Sequence, residues 1–223
     1  MALHCHAETG DADTLATQIQ AAGGHACVLS ADLADEAAAE TLIPAANSAL
    51  GPIGLLVNNA SRFERDEWDT VTRQTWDAHL APNLRAPFLL AQSFARALPG
   101  AAEGVIVNLL DQRVWSLTPH FLSYTVSKAA LWALTQQLAL ALAPSIRVLG
   151  IGPGPALPSP RQSLDQFTAQ CASTPLRRGT NPDEIAAAIL ALLSLPSVTG
   201  QMLALDGGQH LQWSTARGTP LQE

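Results

Sequence analysis

Short apolar runs alternate with longer helical patterns along this chain, and that alternation is what most restricts its fold. The apolar runs are predicted to be strands at Ala2–His6, His25–Ser30, Leu55–Asn58, Gly104–Leu110, Ile146–Ile151 and Met202–Leu205. Helical patterns separate them near residues 11–22, 35–50, 71–98, 122–143 and 181–194. A helix between two strands returns the chain so that the second strand runs parallel to the first. The order therefore predicts an α/β fold, a doubly wound parallel sheet with helices on both faces.

Local signals mark two helix starts and one long irregular segment. Thr180-Asn-Pro-Asp-Glu184 offers a polar cap, an early proline and acids in the first turn. Asp32-Leu-Ala-Asp35 likewise places acids before an alanine-rich helix. The stretch 153–163 is rich in proline and serine and has neither pattern. Because loops that follow the strands of such a sheet often carry function, this segment is predicted to be a mobile cover over a substrate.

Length and composition limit the classes of function. With 223 residues, the chain is predicted to be one domain, residues 1–223, with enough apolar material for a core. The formal net charge of −7 and the scattered arginines argue against a nucleic-acid surface. No run of about 18 apolar residues is present, so no membrane partner is expected. Three distant cysteines without a Cys-x-x-Cys suit reduced thiols in a cytoplasm.

Tyr124 and Lys128 carry the clearest chemical signal. They are four residues apart in Ser123-Tyr-Thr-Val-Ser-Lys128, so a helix that begins near residue 122 places a phenol and an ammonium on one face. An unperturbed tyrosine has a pKa of roughly 10 and exchanges protons poorly at neutral pH. A lysine about 4 Å away supplies the roughly 4 kcal/mol that would bring this pKa to about 7. The pair is a candidate acid, although so short a pattern also arises by chance on helix surfaces.

Further motifs surround that pair. They are Val57-Asn-Asn-Ala60 at the end of an apolar run, Asn83 before Leu-Arg-Ala-Pro-Phe-Leu-Leu, Gly152-Pro-Gly154 after another run, and Asp206-Gly-Gly-Gln-His210 after the last. In this order the chain resembles the short-chain dehydrogenase/reductase family over nearly its whole length. Asp111 stands thirteen residues before Tyr124, where that family usually has serine. This aspartate, with Asn59-Ala-Ser-Arg-Phe63 and the C-terminal motif as far as Trp213, is similar to the pteridine reductase branch.

The resemblance implies a Rossmann-like fold and a nicotinamide-dependent oxidoreductase. In the family, the tyrosine that matches Tyr124 donates the proton, and the lysine that matches Lys128 activates it and bonds the nicotinamide ribose. Asn83 would hold a water behind the lysine, although a plain helix N-cap would look the same in sequence. Asp32 could equally cap a helix. The positions that match cofactor contacts are His6, Asp32, Leu33, Asn59, Ala60, Ser61, Tyr124, Lys128, Pro153 and Gly154.

The preference between cofactors depends on the residues after His6. In the pterin branch these are Arg-Ser, which bind the 2′-phosphate of NADPH, whereas this chain has Ala7-Glu8. Glu8 would repel a phosphate and suits the free ribose hydroxyls of NADH. The phosphate could still be held by His6 or by an arginine upstream of Met1. NADPH is therefore the expected cofactor, with NADH as the alternative.

Asp111 and Phe63 carry the prediction of the substrate. A serine at position 111 would donate a hydrogen bond to a carbonyl oxygen that becomes negative, whereas an ionised aspartate cannot donate and would repel that oxygen. A C=N bond that ends as N–H suits the carboxylate better, so the resemblance implies a pterin-like substrate with Phe63 stacked on its ring. The alternatives are a generic carbonyl or alcohol oxidoreductase with a substituted serine site, and a core role for Phe63.

The predicted first strand, Ala2–His6, resembles the second strand of the family. The family's first strand, its glycine-rich turn and its first helix, roughly 30 residues, have no counterpart in the chain. Because that strand is central, its loss would leave ladder groups unpaired on two neighbours, at about 1–3 kcal/mol for each buried group. We therefore expect a product that starts upstream of Met1. The alternatives are direct pairing of the two neighbouring strands, and a non-catalytic family member that binds no dinucleotide.

Two further expectations concern metals and subunits. His4-Cys5-His6 suggests a metal site at first sight, but strand alternation sends the two histidines to one face and Cys5 to the other, so no metal is expected. In the family, the helices that match residues 71–98 and 122–143 form subunit contacts, which implies a homotetramer.

Overall fold

The computed structural model describes residues 1–211, so Trp213 lies outside the described part. The strands are β1 Ala2–Cys5, β2 Cys27–Ser30, β3 Leu55–Asn58, β4 Gly104–Leu109, β5 Ile146–Pro153 and β6 Met202–Leu205. The helices are α1 Gly10–Ala21, α2 Glu36–Leu50, α3 Arg73–Leu80, α4 Ala86–Ala97, α5 Leu122–Ala141, α6 Leu164–Ser173 and α7 Pro182–Leu193. Every strand-to-strand pairing in this part of the chain is parallel. The predicted α/β class with a parallel sheet and flanking helices is therefore confirmed.

The strands form two separate ladders. One contains β1 and β2, and the other runs β3-β4-β5-β6. Within residues 1–211 no ladder joins β1 to β3, so direct pairing of these two strands, the alternative considered from the sequence, is wrong. Cys27 N and Ala31 N bond the carbonyls of Met1 and Cys5, so the intervening His4 turns its backbone groups to the other edge of β1. That edge of β1 and the edge of β3 opposite β4 have no strand partner within residues 1–211.

The core lies on both faces of β4 and β5, whose side chains alternate between the two faces. On one face, Ile106 and Val148 are fully buried against α2, α4 and α5, in a cluster that includes Leu42 and Phe94. On the other face, a cluster of β4 and β5 residues packs against α7 through Ala188 and Leu192. Burial on both faces explains the near-continuous apolar runs that predicted these strands.

A π-helical turn interrupts the segment 71–98, which the sequence predicts as one helix. The turn spans Ala81–Arg85 between α3 and α4, and the Ala86 N–H bonds the Ala81 carbonyl five residues earlier. Pro82 lacks an N–H and cannot make the regular α-helical bond, which favours a local change of pitch. Asn83 lies inside this turn and is not the first residue of a helix, so the N-cap interpretation of Asn83 is wrong.

The predicted helix starts are largely as expected. Asn181 caps α7 by accepting a hydrogen bond from Glu184 N over 2.8 Å. Asp35 caps α2 by accepting from Ala37 N over 2.9 Å, so Asp32 is not the cap of that helix. The irregular stretch after β5 ends at Ser163, which begins α6 with a reciprocal capping bond and was not predicted. No helix of residues 1–211 combines the length and the apolar character that crossing a bilayer requires.

Candidate active site

The side chains of Asp111, Tyr124 and Lys128 meet beyond the carboxyl end of β4. Asp111 comes two residues after this strand, and the other two lie in the first turns of α5. The Tyr124 hydroxyl donates a hydrogen bond to Asp111 Oδ2 over 2.9 Å. Lys128 Nζ donates to the Leu109 carbonyl over 2.8 Å and lies 5.9 Å from the centre of the Tyr124 ring. The structure thus brings together the three groups that the sequence singled out.

Lys128 is buried, and burial disfavours the charged form of its side chain. Its exposed fraction is 3%. Burial lowers the pKa of its ammonium from 10.5 to about 8, while the nearby Asp111 carboxylate acts in the opposite direction. At pH 7 about nine in ten of the side chains are therefore still charged. Lys128 is the only lysine and Tyr124 the only tyrosine of the sequence, which makes both groups easy to observe separately.

Arg113 holds the Asp111 carboxylate in place, a role that the sequence did not indicate. Its backbone N–H donates to Asp111 Oδ1 over 2.8 Å, and its Nη1 donates to Oδ2 over 3.2 Å. Both side chains are largely buried, with exposed fractions of 9% and 14%. A largely buried carboxylate needs such a partner, because its charge would otherwise be uncompensated. Asp111 therefore acts here as an acceptor of hydrogen bonds, including the one from Tyr124.

Asn83 joins the loop after β3 to α5. Its Oδ1 accepts from Arg62 N over 2.8 Å and from the Ser61 hydroxyl over 3.2 Å. Its Nδ2 donates to the Arg62 carbonyl over 2.9 Å and to Ser127 Oγ over 3.0 Å. The side chain is fully buried and contacts the residue before Lys128. The predicted water behind the lysine stays a prediction.

Phe63 lies beside these groups and contacts Tyr124. Its ring meets the Tyr124 ring edge-on at 4.6 Å and stacks on Phe121, also at 4.6 Å, with 9° between the planes. The guanidinium of Arg161 is 5.1 Å from the Phe63 ring and 5.8 Å from the Phe121 ring, which places it at the rim of the stack. Phe121 therefore covers one face of Phe63, and a substrate ring would use the other face or displace Phe121.

Phe121 has an unusual backbone. Its φ of 58° lies in the left-handed region, and its side chain is 1% exposed. This conformation costs a residue with a Cβ about 1–2 kcal/mol. Phe121 is the residue before α5. Its backbone conformation places the Phe121 ring against Phe63 and begins the helix that carries Tyr124. Sequence patterns contain no signal for this arrangement, because an aromatic residue is not expected at positive φ.

The residues predicted to contact the adenosine end of a dinucleotide follow β1 and β2. His6 Nδ1 and Asp32 Oδ1 are 3.6 Å apart, and both side chains are more than half exposed. Asp32 Oδ1 also accepts from Ala34 N over 2.8 Å. Leu33 packs against the core cluster of α2 and α4. An exposed carboxylate beside a histidine provides acceptors for ribose hydroxyls and one group that could meet a phosphate, so the donor set fits this end of the cofactor.

The residues predicted to line the path of the dinucleotide follow β3, and those predicted to lie against the nicotinamide are at the end of β5. Asn59, Ala60 and Ser61 are exposed, and Pro153 is the last residue of β5. Gly154 N bonds the Leu205 carbonyl over 3.0 Å, and a Cβ on this glycine would lie 2.8 Å from Asp206 Cα. All of these positions share the edge at which parallel sheets bind ligands. In residues 1–211, no strand leads through a Gly-x-Gly-x-x-Gly turn into a helix that could hold the pyrophosphate.

His4, the histidine of β1, has a backbone partner. His4 Nε2 lies 3.0 Å from the Ala31 carbonyl. In the described part of the chain, no group of three or more histidine, cysteine, aspartate or glutamate side chains could hold a metal ion.

Comparison with known proteins agrees with this geometry. A family model described as enoyl-(acyl carrier protein) reductase matches residues 2–210. Gluconate 5-dehydrogenase of Gluconobacter oxydans is 29% identical over 203 residues, which are 88% of this chain and 79% of that protein.

Many solved structures are similar to this chain, two of them as follows. FolM alternative dihydrofolate reductase 1 from Brucella canis, complexed with NADP, has a TM-score of 0.93 and 45% identity, and the match covers 97% of this chain and 86% of that one. A short-chain dehydrogenase/reductase from Serratia marcescens has a TM-score of 0.86 and 28% identity, with 94% and 86% covered. The family model, the fold and the grouping of Asp111, Tyr124 and Lys128 lead to one conclusion: the chain belongs to the short-chain dehydrogenase/reductase family of oxidoreductases.

Proposed function

We propose that this protein reduces a C=N bond of a pterin-like ring, with NADPH as the source of hydride. The observation that carries the proposal is the hydrogen bond from the Tyr124 hydroxyl to Asp111 Oδ2, at 2.9 Å. A carboxylate in that position can accept hydrogen bonds from ring N–H and amino groups, whereas it would repel the oxyanion formed in ketone reduction. The likeness to a FolM alternative dihydrofolate reductase supports the same class of substrate.

The chain's residues have distinct roles in this reaction. The bound cofactor would supply the hydride to carbon. Asp111, held by Arg113, would orient the substrate ring by accepting hydrogen bonds from the amino and N–H groups of that ring. Tyr124 would give its proton to the ring nitrogen, so that C=N becomes CH–NH. The Lys128 ammonium, fixed by its bond to the Leu109 carbonyl, would stabilise the phenolate that remains on Tyr124.

Support for NADPH comes from the similar structure with bound NADP and from His6, an exposed side chain just after β1 that could bond a 2′-phosphate. Asp32 and Leu33 would contact the adenine, and Asn59 to Ser61 would line the path of the dinucleotide. Pro153 and Gly154 would lie against the nicotinamide, and Lys128 would bond the nicotinamide ribose. The test is turnover with each cofactor on one preparation. NADPH should be preferred, and a roughly tenfold preference for NADH would contradict the choice.

Replacing Tyr124 by phenylalanine tests the proposed acid directly. The change removes one hydroxyl, so turnover of dihydrobiopterin should fall by about 100-fold or more, which is the usual size of a general-acid contribution. NADPH binding, measured by calorimetry, should stay within a few-fold and shows that the variant is folded. Retention of more than about a tenth of the rate would contradict the role of Tyr124.

A generic carbonyl or alcohol oxidoreductase is the second candidate, favoured by the similarity to gluconate 5-dehydrogenase. Comparison of dihydrobiopterin with simple ketones separates the two candidates, because a higher kcat/KM for ketones would exclude the pterin assignment. A non-catalytic family member is tested by calorimetry on the 223-residue protein. Absence of binding of both NADPH and NADH at about millimolar concentration would favour that reading.

The proposal extends to subunits and location. An apolar groove of about 480 Å³ runs between α3, the π turn and α5, lined by Leu80, Leu84, Phe88 and Leu134 among others. It supports the homotetramer expected from the family, which native mass spectrometry would test by a mass four times that of the chain. The cysteines Cys5, Cys27 and Cys171 are all free thiols, which supports a cytoplasmic location.

A further inference from the structure

A second polar cluster lies behind the proposed site and takes no part in the proposed reaction. Asp66 comes from the loop after β3, His79 from α3 and Ser123 from the first turn of α5. Their exposed fractions are 3%, 1% and 0%. Buried polar groups destabilise a fold unless they form hydrogen bonds. Three of them in contact therefore indicate a specific hydrogen-bonded cluster. We refer to these three residues as the clamp.

The hydrogen bonds of the clamp have a defined direction. Glu64 N–H donates to His79 Nε2 over 3.0 Å, so this nitrogen carries no proton. The ring proton is therefore on Nδ1, which lies 2.7 Å from Ser123 Oγ and 3.0 Å from the Thr75 carbonyl. The Ser123 hydroxyl in turn donates to Asp66 Oδ2. The chain of bonds runs from the loop through α3 to α5 and back to the loop.

Asp66 also fixes the start of the helix that carries Tyr124. Its Oδ1 accepts from Ser123 N over 3.1 Å, and its carbonyl accepts from Leu122 N over 3.3 Å. The first N–H groups of a helix have no partner within the helix, and α5 has no cap of its own at Phe121. A side chain from the loop after β3 thus supplies what the local sequence lacks.

Phe63 lies between two fixed points of the same loop. On one side, Asn83 bonds both the N–H and the carbonyl of Arg62, at 2.8 and 2.9 Å. On the other side, His79 accepts from Glu64 N over 3.0 Å. His79 and Asn83 are four residues apart, so one face of α3 and the π turn holds the backbone on both sides of Phe63.

We infer that the clamp positions Phe63 against Tyr124 and thereby sets the width of the substrate pocket. Asp66 and Ser123 hold the start of α5, and His79 holds the loop after β3. That loop carries Phe63 and α5 carries Tyr124, and the centres of their rings are 4.6 Å apart. This inference rests on the proposed function in that Phe63 and Tyr124 contact the substrate. Loss of the clamp should affect substrate binding more than cofactor binding, because His79 bonds the backbone next to Phe63. The cofactor positions after β1, β2 and β5 lie on other strand ends.

His79→Leu tests the inference because leucine keeps an apolar volume and removes both ring nitrogens. The KM for dihydrobiopterin should rise by about tenfold or more, with the Kd for NADPH changed less than about twofold. Amide exchange at Glu64 should become faster. His79→Gln keeps one acceptor and one donor and should restore the KM to within about threefold of the wild type.

Thr135→Val is the matched control. Thr135 is fully buried on α5 and bonds Asn108 Nδ2 over 2.9 Å, so its loss removes a buried hydrogen bond away from the loop. This variant should lose stability while its KM stays near the wild-type value. A wild-type KM in His79→Leu would overturn the inference, and so would an equal rise of KM in Thr135→Val.

Nuclear magnetic resonance of the wild-type protein labelled with ¹⁵N-histidine supplies a readout without any variant. Glu64 N–H donates to Nε2 and burial lowers the pKa of His79 from its ordinary 6.5, so at about pH 7.5 the ring should be neutral with the proton on Nδ1. The other tautomer, or a charged ring at that pH, would overturn the inference. The spectrum needs no turnover. If the spectrum shows the expected His79 tautomer but the Tyr124→Phe variant is active, the proposed function is refuted. The hydrogen bonding of the clamp would still be supported in that case.

Discussion

Lys128 is expected to make the folded protein more stable as the pH rises from 7 to 10. Burial holds the pKa of its ammonium at about 8, against 10.5 for the ordinary side chain. Below pH 8 the lysine is charged in the folded and the unfolded chain alike. Between pH 8 and 10.5 the folded chain has released the proton that the unfolded chain still binds, so unfolding takes up a proton. A rising pH opposes that uptake and stabilises the folded state.

The magnitude follows from the difference between these two pKa values. A shift from 10.5 to about 8 corresponds to about 3 kcal/mol, of which roughly 2.5 kcal/mol is regained between pH 7 and pH 10. Solvent screening reduces this figure little, because the side chain is only 3% exposed. Catalysis should change in the opposite direction. The neutral amine cannot stabilise the Tyr124 phenolate, so kcat should fall above pH 8.

The assay is urea unfolding of the wild type and of Lys128→Met at pH 7, 8, 9 and 10. Groups that do not interact with Lys128 titrate alike in both proteins, so the difference in the free energy of unfolding reports on Lys128, the only lysine, and on the groups coupled to it. The difference should shift by about 2.5 kcal/mol in favour of the wild type between the two ends of the range. A difference that stays constant within about 0.5 kcal/mol would refute the argument, because the lysine would then titrate as if exposed.

Three further outcomes are expected. Asp111→Ser should lower kcat/KM for dihydrobiopterin relative to a simple ketone by about tenfold or more, because the hydroxyl can donate to an oxyanion; steady-state kinetics that show an unchanged ratio would contradict this. Arg113→Met should destabilise the protein by about 3 kcal/mol, since it leaves the buried carboxylate without its ion-pair partner; urea unfolding that shows less than about 1 kcal/mol would contradict it. The amides of His4 and Val57 should exchange with deuterium much faster than those of their strand neighbours, because they face the unpaired edges of β1 and β3. Equal protection along these strands would show that the edges are covered.

The sequence predicted the elements whose pattern is local. The six strands lie within a few residues of the predicted ranges. The pattern is clearest for β4 and β5, which are buried on both faces and so are apolar at nearly every position. The grouping of Tyr124 with Lys128 was equally local, since it follows from one turn of a helix. Asp111 was added through the family resemblance, because it stands thirteen residues before Tyr124, where the family usually has serine.

Contacts between distant residues could not be predicted in the same way. Asp66 and Ser123 are 57 residues apart, and neither lies in a pattern that marks a partner. The π turn could not be anticipated from periodicity, although Pro82 is a local reason for it. Arg113 holds Asp111 through a short 3-10 helix, Gln112–Val114, whose geometry the sequence did not indicate. Tertiary packing fixes these features, so they became visible only in the structure.

The most direct test of the account is to follow the hydride itself. NADPH that carries deuterium at both C4 positions should transfer one deuterium to dihydrobiopterin in the presence of the protein, and mass spectrometry would find the pterin product heavier by that one atom. The Tyr124→Phe variant should yield almost none of this product in the same time. A reduced pterin without deuterium, or equal transfer by the variant, would contradict the proposal that Tyr124, Lys128 and Asp111 form a nicotinamide-dependent pterin reductase site.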